Sequence, residues 1–391
     1  MRLAMVFRLR DEADIIEQNL RYHRAQGVDL FIVADRGSTD GTLEILERHE
    51  RAGHVKLERV GRGGDRERGS EIALTRLAME LGADWIIHND ADEFWWPLAG
   101  SLKETLAAVP EQYGLVVAPR SEFAARPGDD PFFERMTARE ARFLRPPKAA
   151  HRAHEQIKVR GSQPSEIWIR RDPAGQKRLI GRAALRSKAE HDQIEQVELA
   201  ISPEFTVGVL RFPVRSFEQY RRRVELALEG GELDGTADGR EVREAYEAGQ
   251  LRELYGRLTL DDDAVRQGLT EGWLVEDTSL RDYLRAAPDP FDGGEAPPGA
   301  DAWPEERRTE TRARLQHDAM YALSRYLQTY AHRTQTHRRE RARRKQVERR
   351  MWRQVATLRR QDRRLTRIES SLWWRLRPRL PAIRRRRRKR R

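Results

Sequence analysis

Three carboxylates, Asp90, Asp92 and Glu93, fall within four positions of the stretch DWIIHNDADEFWWP, directly after an apolar run. Two Asp at i and i+2 just past a strand can both turn toward one cavity where the strand gives way to a turn. Oxygen ligands so placed suit Mg²⁺ or Mn²⁺, and such an ion holds a diphosphate and neutralises charge developing on it as it leaves. Asp90 and Asp92 are therefore the candidate metal ligands. A solvated acidic turn at a helix start shows the same short pattern. The buried character of the preceding run favours carboxylates that emerge from a core.

VADRGSTDGT is the second cluster. Asp35 ends an apolar run, and Gly37, Ser38 and Gly41 let the chain turn tightly. A carboxylate there can accept a hydrogen bond from a pyrimidine N3–H or a ribose hydroxyl. Asp40 either caps the helix expected from Thr42 or faces the cavity. RLRDEAD is the third cluster: Arg10 suits a phosphate, and Glu12 suits a sugar or base hydroxyl. Acids in a helix's first turn are also favoured by its dipole.

The elements that must position these residues alternate regularly. LAMVFRL, VDLFIVAD, VKLERV and DWIIHN read as strands. DEADIIEQNLRYHRAQG, LEILERHERAG and SEIALTRLAMELG read as helices, each ending on Gly. This order predicts a parallel sheet with helices on both faces, whose ligands bind beyond the carboxyl ends of the strands. YGLVVAPR, AAHRAHEQIKVRG and SEIWIRRD predict further strands, and residues 216–231 a helix. His151 and His154 have a spacing that suits metal on a helix. In a strand or loop they become phosphate or acceptor contacts, or polar surface.

In order and spacing, RDEADIIEQNLRYHRAQGVDLFIVADRGSTDGT, DWIIHNDADEFWWP and RFPVRSFEQYRRRV resemble the family 2 type of GT-A glycosyltransferases. The nearest pattern is a bacterial branch reading R/K-N-E-A-D, D-N-G-S-T-D-G-T, D-W-hydrophobic-D-A-D-E-F and H-F-P-Y-R-S, matched over roughly residues 1–230. The resemblance implies an α/β fold of GT-A type, a mostly parallel sheet flanked by helices that binds a nucleotide sugar. It implies that Asp35 binds the base, that Glu12 lies near the nucleoside, and that Asp90 and Asp92 hold the metal on a nucleotide-diphosphate sugar. Asp11 and Arg36 stand where the pattern has Asn. Arg211 stands where it has His; a guanidinium cannot coordinate a cation but can contact the diphosphate directly.

Inversion at the sugar is implied by the resemblance alone. It needs a carboxylate to take the acceptor proton. Glu122, after LVVAPR, is the first candidate, with Glu93, Glu155 and Asp192 as rivals. The nucleotide-sugar contacts expected are thus Arg10, Glu12, Asp35, Asp40, Asp90 and Arg211.

Charge divides the chain. Residues 301–391 carry 31 Lys+Arg against 9 Asp+Glu, whereas the preceding 300 carry 44 against 54. Two regions of opposite charge have different partners. The expected organisation is a glycosyltransferase domain over 1–231, a helical extension over 232–287 and a Pro/Gly linker over 288–304. An Arg-rich helix or coiled coil over 305–376 and a disordered polybasic tail over 377–391 follow.

Trp352, Trp373 and Trp374 interleave with arginine, and the last eight residues are all basic. The pattern RLTRIESSLWWRLRPRLP resembles C-terminal segments of bacterial surface-polysaccharide glycosyltransferases. Residues 352–391 are thus expected to meet an anionic membrane surface, with a solvated tail or a nucleic-acid arm as alternatives. No cysteine, no hydrophobic leader and no run of about 18 apolar residues are present, so a cytoplasmic enzyme at the inner face of the plasma membrane is expected. The acceptor would be an envelope polysaccharide or lipid-linked glycan. Alternatives are a sugar nucleotidyltransferase, which releases pyrophosphate, and a non-catalytic nucleic-acid- or envelope-binding protein on the same fold.

Overall fold

The computed structural model describes residues 1–60, 69–98, 100–111, 113–128, 130–142, 145–154, 157–159, 167–169, 207–230, 233, 237–287 and 289–291. All lie in the compact unit Met1–Tyr326, distinct from Leu327–Arg391. Of the expected linker, residues 289–291 are described; its remainder, the Arg-rich helix, the polybasic tail and the membrane segment lie outside the described residues, as do Glu155 and Asp192.

The chain opens with β1 (Leu3–Leu9), α1 (Ile16–Ala25), β2 (Leu30–Asp35), α2 (Thr42–Arg51), β3 (Val55–Arg59), α3 (Glu71–Glu80) and β4 (Trp85–Asn89). Then come β5 (Glu93–Pro97), α4 (Leu102–Ala107), β6 (Leu115–Glu122), α5 (Phe132–Arg135), β7 (Ala138–Glu140) and β8 (Arg145–Arg152). After β9 (Ile157–Val159), β10 (Ile167–Ile169) and β11 (Val207–Arg211) the chain turns helical: α6 (Phe217–Gly230), α7 (Ala237–Glu247), α8 (Leu251–Leu258) and α9 (Asp262–Glu271). It closes with β12 (Leu274–Glu276) and α10 (Ser279–Ala286).

Eight strands form one mixed sheet in the order β3-β2-β1-β4-β8-β6-β11-β5. β1 to β4, β6 and β11 run one way; β8 and β5 run the other. The architecture is therefore α/β, a mostly parallel sheet flanked by helices. β1 and β4 are buried along nearly their whole length, which is why they read as continuous apolar runs. Leu3, Met5, Phe7, Val33, Trp85 and Ile87 face α1, α2 and α4 through Leu20, Leu46 and Leu102. Ala4, Val6, Ile32 and Ile86 face α3 through Leu74 and Ala78.

The strand order reverses between β1 and β4, because β2 and β3 extend the sheet on the other side of β1. A crevice at such a reversal, beyond the carboxyl ends, is where open α/β sheets hold ligands. Two glycines turn the chain at opposite edges of the sheet. Gly27, between α1 and β2 at the amino ends of the strands, has φ 87, and a Cβ there would sit 2.6 Å from Lys103 Cβ. Gly41 starts α2 at φ 100, a conformation side chains resist.

EFWWP, to which the sequence reading assigns no element, is a fully buried strand, β5, paired antiparallel with β11. Proline ends it at the sheet edge, where no ladder donor is needed. β12 pairs with β7, and Leu280 and Tyr283 of α10 join the main core.

Candidate functional site

Two loops are laced together beside the crevice. Asp11 adopts φ 56, the one non-glycine residue with positive φ among those described; Asp and Asn tolerate this region through local hydrogen bonds. Asp11 Oδ1 accepts the Thr39 N–H at 2.6 Å, and the Asp11 N–H donates to Ser38 Oγ at 2.9 Å. Asp40 Oδ2 accepts from Ala13 N at 3.1 Å and Oδ1 from Thr42 N at 3.1 Å, so Asp40, one residue before the Gly41 N-cap, joins the first backbone donor of α2 to the loop after β1. Asp35, buried at the end of β2, accepts from Gly37 N at 3.1 Å and Ser38 N at 3.2 Å. Its carboxylate thus shapes the turn that follows it.

The acidic turn hangs from α1. Asn19 Nδ2 donates to the carbonyls of Ala91 at 2.9 Å and Glu93 at 2.8 Å. His23, one turn on, accepts the Trp95 N–H at Nε2. Asn89 adds a bond to the Glu93 carbonyl and accepts the indole N–H of Trp95. This buried polar set holds both ends of the sequence DADEF.

Strand register brings cations to that turn. Arg211 of β11 lies directly across from Glu93 of β5 on one side and Glu122 of β6 on the other. Its guanidinium reaches Asp92 Oδ2 at 3.2 Å and Glu122 Oε1 at 2.8 Å. Lys148 of β8 reaches Asp90 Oδ2 at 2.7 Å and Glu93 Oε2 at 2.9 Å, and Arg120 of β6 reaches Glu93 Oε1 at 3.0 Å. Arg145 meets the other oxygen of Glu122 at 3.1 Å. Glu93 is 0% exposed, and burial pushes its pKa up, with Asp90 adding to the effect and Lys148 opposing it. The Asp90 side chain is 54% exposed and so faces the solvent side of the cluster.

Arg215 joins the crevice from the far end of the chain. It is 1% exposed, bonds Asp14 through Nε at 2.7 Å, and pairs with Glu12. Burial drives Glu12 up to about 7; Arg215 opposes this, while Asp92 and Asp14 add to it. α6 then fastens both clusters: Arg222 stands 3.4 Å from Asp40, and Arg223 stands 3.9 Å from Asp92. Arg10 lies at the same rim, 3.5 Å from Asp11 and 3.8 Å from Glu229 of α6.

Oxygen atoms of Asp90, Asp92 and Glu93 lie within 4.8 Å of one another, so this cluster is one that could hold a metal ion. The all-oxygen donor set fits a hard divalent cation.

No family model matches the chain, and no curated protein matches it. Solved structures do resemble it. Crystal structures of S. aureus TarS 1-349 are similar at 18% identity, covering 39% of this chain and 47% of that chain with a TM-score of 0.27. The same protein in complex with UDP-GlcNAc aligns at 19% identity over 39% of this chain and 46% of that chain, TM-score 0.26. A mycobacterial protein is 24% identical over 32% of this chain and 41% of that chain, TM-score 0.21. The chain thus spans less than half the length of the structures just described.

Among the expected residues, Arg10, Glu12, Asp40, Asp90, Asp92, Glu93, Glu122 and Arg211 line one rim, with Asp35 supporting it from beneath the second loop. His151 differs from every reading of the sequence: it is buried on the α3 face, its ring stacked on His88 at 5.4 Å. Burial lowers its pKa to about 4, so it stays neutral there. Sequence reasoning missed Lys148, Arg120, Arg215, Asn19 and the structural part of His23. For Asn19 and His23 a signal existed: polar residues four apart on the apolar stripe of α1.

Proposed function

We propose that the chain is a glycosyltransferase that moves a sugar from a nucleotide-diphosphate donor to an envelope polysaccharide or lipid-linked glycan, with inversion. The observation that carries this reading is the convergence of RLRDEAD, VADRGSTDGT, NDADEF and RFPVRS on one rim at the carboxyl ends of β1, β2, β4 and β11. In this reading the nucleoside lies against Glu12, Asp35 and the lacework of Asp11 and Asp40. The diphosphate meets Arg211, Arg10 and Arg223. Asp90 and Asp92 would hold Mg²⁺ or Mn²⁺, which when bound supplies positive charge to the diphosphate.

The transfer needs one proton acceptor. An acceptor hydroxyl oxygen forms the new bond to the anomeric carbon, the bond from that carbon to the diphosphate oxygen breaks, and a carboxylate takes the hydroxyl proton. We assign this role to Glu122, the last residue of β6, whose side chain is 14% exposed although Arg211 and Arg145 pair with it. Glu93, its rival, is fully buried among Arg120, Lys148 and Arg211. Residues 352–391 would bring the enzyme to an anionic membrane at the cytoplasmic face, each basic residue near the surface contributing about 1 kcal/mol. Among the described residues no helix is long and apolar enough to cross a membrane. Residues 1–231 would be the catalytic domain, with 232–287, 288–304, 305–376 and 377–391 as its extension, linker, Arg-rich helix and tail.

The test is calorimetric titration of UDP and GDP into the full chain, in Mn²⁺ and in EDTA, for wild type and Asp92→Asn. It is paired with detection of the nucleotide or pyrophosphate released from nucleotide sugars. Metal-dependent binding lost in the variant, with nucleotide as product, supports the reading. Pyrophosphate release identifies a nucleotidyltransferase. Absence of nucleotide binding overturns the reading.

A further inference from the structure

The acidic turn already holds a cation that the chain supplies. Lys148 is 3% exposed, and its ammonium bridges Asp90 and Glu93. Arg211 occupies Asp92 and Glu122, Arg120 occupies Glu93, and Arg145 occupies Glu122. Arg223 stands 3.9 Å from Asp92 and Arg145 is shared with Glu140 at 2.6 Å, so the five carboxylates Asp90, Asp92, Glu93, Glu122 and Glu140 are met by Lys148, Arg120, Arg145, Arg211 and Arg223 without any ion from solution.

This balance constrains what can bind. A divalent cation drawn to Asp90 and Asp92 meets the Lys148 ammonium 2.7 Å from Asp90 Oδ2 and 2.9 Å from Glu93 Oε2. It competes with that ammonium for Asp90, because two cations brought to one carboxylate repel each other. Arg211 is forked between Asp92 and Glu122, whereas Lys148 presents a point charge on a flexible stem to Glu93 and to Asp90, the acid that faces solvent. Lys148 is the exchangeable member. Adding a divalent ion then leaves the cluster with excess positive charge, which a nucleoside diphosphate removes.

We propose that Lys148 is a resident counter-ion that a divalent cation displaces from Asp90, making metal binding weak in the free protein and strong with a nucleoside diphosphate. This rests on the donor-site reading above. The coupling is reciprocal: whatever factor UDP adds to Mn²⁺ affinity, Mn²⁺ adds to UDP affinity.

The experiment measures free Mn²⁺ by its electron paramagnetic resonance signal during titration of the full chain, with and without UDP. Wild type, Lys148→Met and Lys148→Arg are compared. UDP is expected to tighten Mn²⁺ binding to wild type by at least about tenfold, a coupling of roughly 1.4 kcal/mol. Lys148→Met is expected to bind Mn²⁺ without UDP at least about tenfold more tightly than wild type, and Lys148→Arg to keep the weak wild-type value.

A folded Lys148→Met protein, judged by its thermal transition, that binds Mn²⁺ no better than wild type overturns the proposal. If that variant does not fold, the wild-type comparison decides, because Mn²⁺ affinity indifferent to UDP also overturns it. UDP binding equally well in EDTA and Mn²⁺ removes the counter-ion exchange and leaves the donor site standing. Failure of wild type to bind UDP under any condition overturns both.

Discussion

His23 accepts the backbone N–H of Trp95 at Nε2, 3.1 Å away. The neutral ring therefore carries its proton on Nδ1, which donates to Asn19 Oδ1 at 2.7 Å. A helix side chain thereby completes a strand's backbone bonding just beyond the acidic turn. His23→Ala strands the Trp95 donor in the core and should cost about 1–3 kcal/mol, read as a lower urea midpoint. Burial lowers the His23 pKa from its ordinary 6.5 to about 3. Between those values the unfolded chain holds the proton and the folded chain does not. The stability His23 contributes is full above about 6.5 and declines as pH falls toward 3. His23→Gln should lose less stability than wild type over that acid range.

Glu12 has the opposite sign. Its folded pKa of about 7 lies above the ordinary 4.5 because burial outweighs Arg215. The folded protein then holds this proton more tightly than the unfolded chain, so the contribution is full below about 4.5 and is lost as pH rises through 7. Thermal melts across this window should show a falling midpoint in wild type and a flatter profile in Glu12→Gln. An unchanged slope in the variant would assign the titration to another group.

Arg215 spans the molecule. Its partner Asp14 is 201 residues away in the chain. Arg215→Met leaves Glu12 and Asp14 beside a cavity without their cation and should destabilise by about 3–5 kcal/mol. Arg215→Lys should recover only part of this, because one ammonium cannot reproduce the fork that meets Glu12, Asp14 and the Phe212 carbonyl together. Chemical denaturation of both variants measures the difference.

Glu122 separates binding from turnover. On the proposed mechanism Glu122→Gln keeps a carbonyl oxygen for Arg211, gives up the pairing with Arg145 and loses the proton acceptor. Nucleotide affinity should stay within about threefold of wild type, since the charge removed lies off the nucleoside. Turnover of a nucleotide sugar should fall by about 10²–10⁴. Equal losses in UDP affinity and turnover would make Glu122 a binding residue instead.

Much of the frame was legible. β1, β2 and β4 are buried on both faces and so read as apolar runs, which for β2 and β4 end at Asp35 and directly before Asp90. β5 was not legible, because Glu93 heads it and no turn residue separates it from the acids. Lys148 sits between two prolines and two alanines in RPPKAAHR, a context with no periodicity. Only strand register brings it to Asp90. Arg215 falls within the RFPVRS stretch that carries the resemblance, but nothing local names its partners, since Glu12 and Asp14 become its neighbours only after the sheet closes.

β11 lies between β5 and β6 in the sheet although both precede it in the chain. During synthesis the ribosome releases EFWWP and LVVAPRSE long before VGVLR exists to join them. Until then two apolar strands each present an open edge, the condition under which nascent chains pair with one another. The last strand of this sheet to be made is therefore both its closing stave and the carrier of Arg211, so a chain stopped before it is aggregation-prone and leaves the acidic turn short of a cation for the same reason.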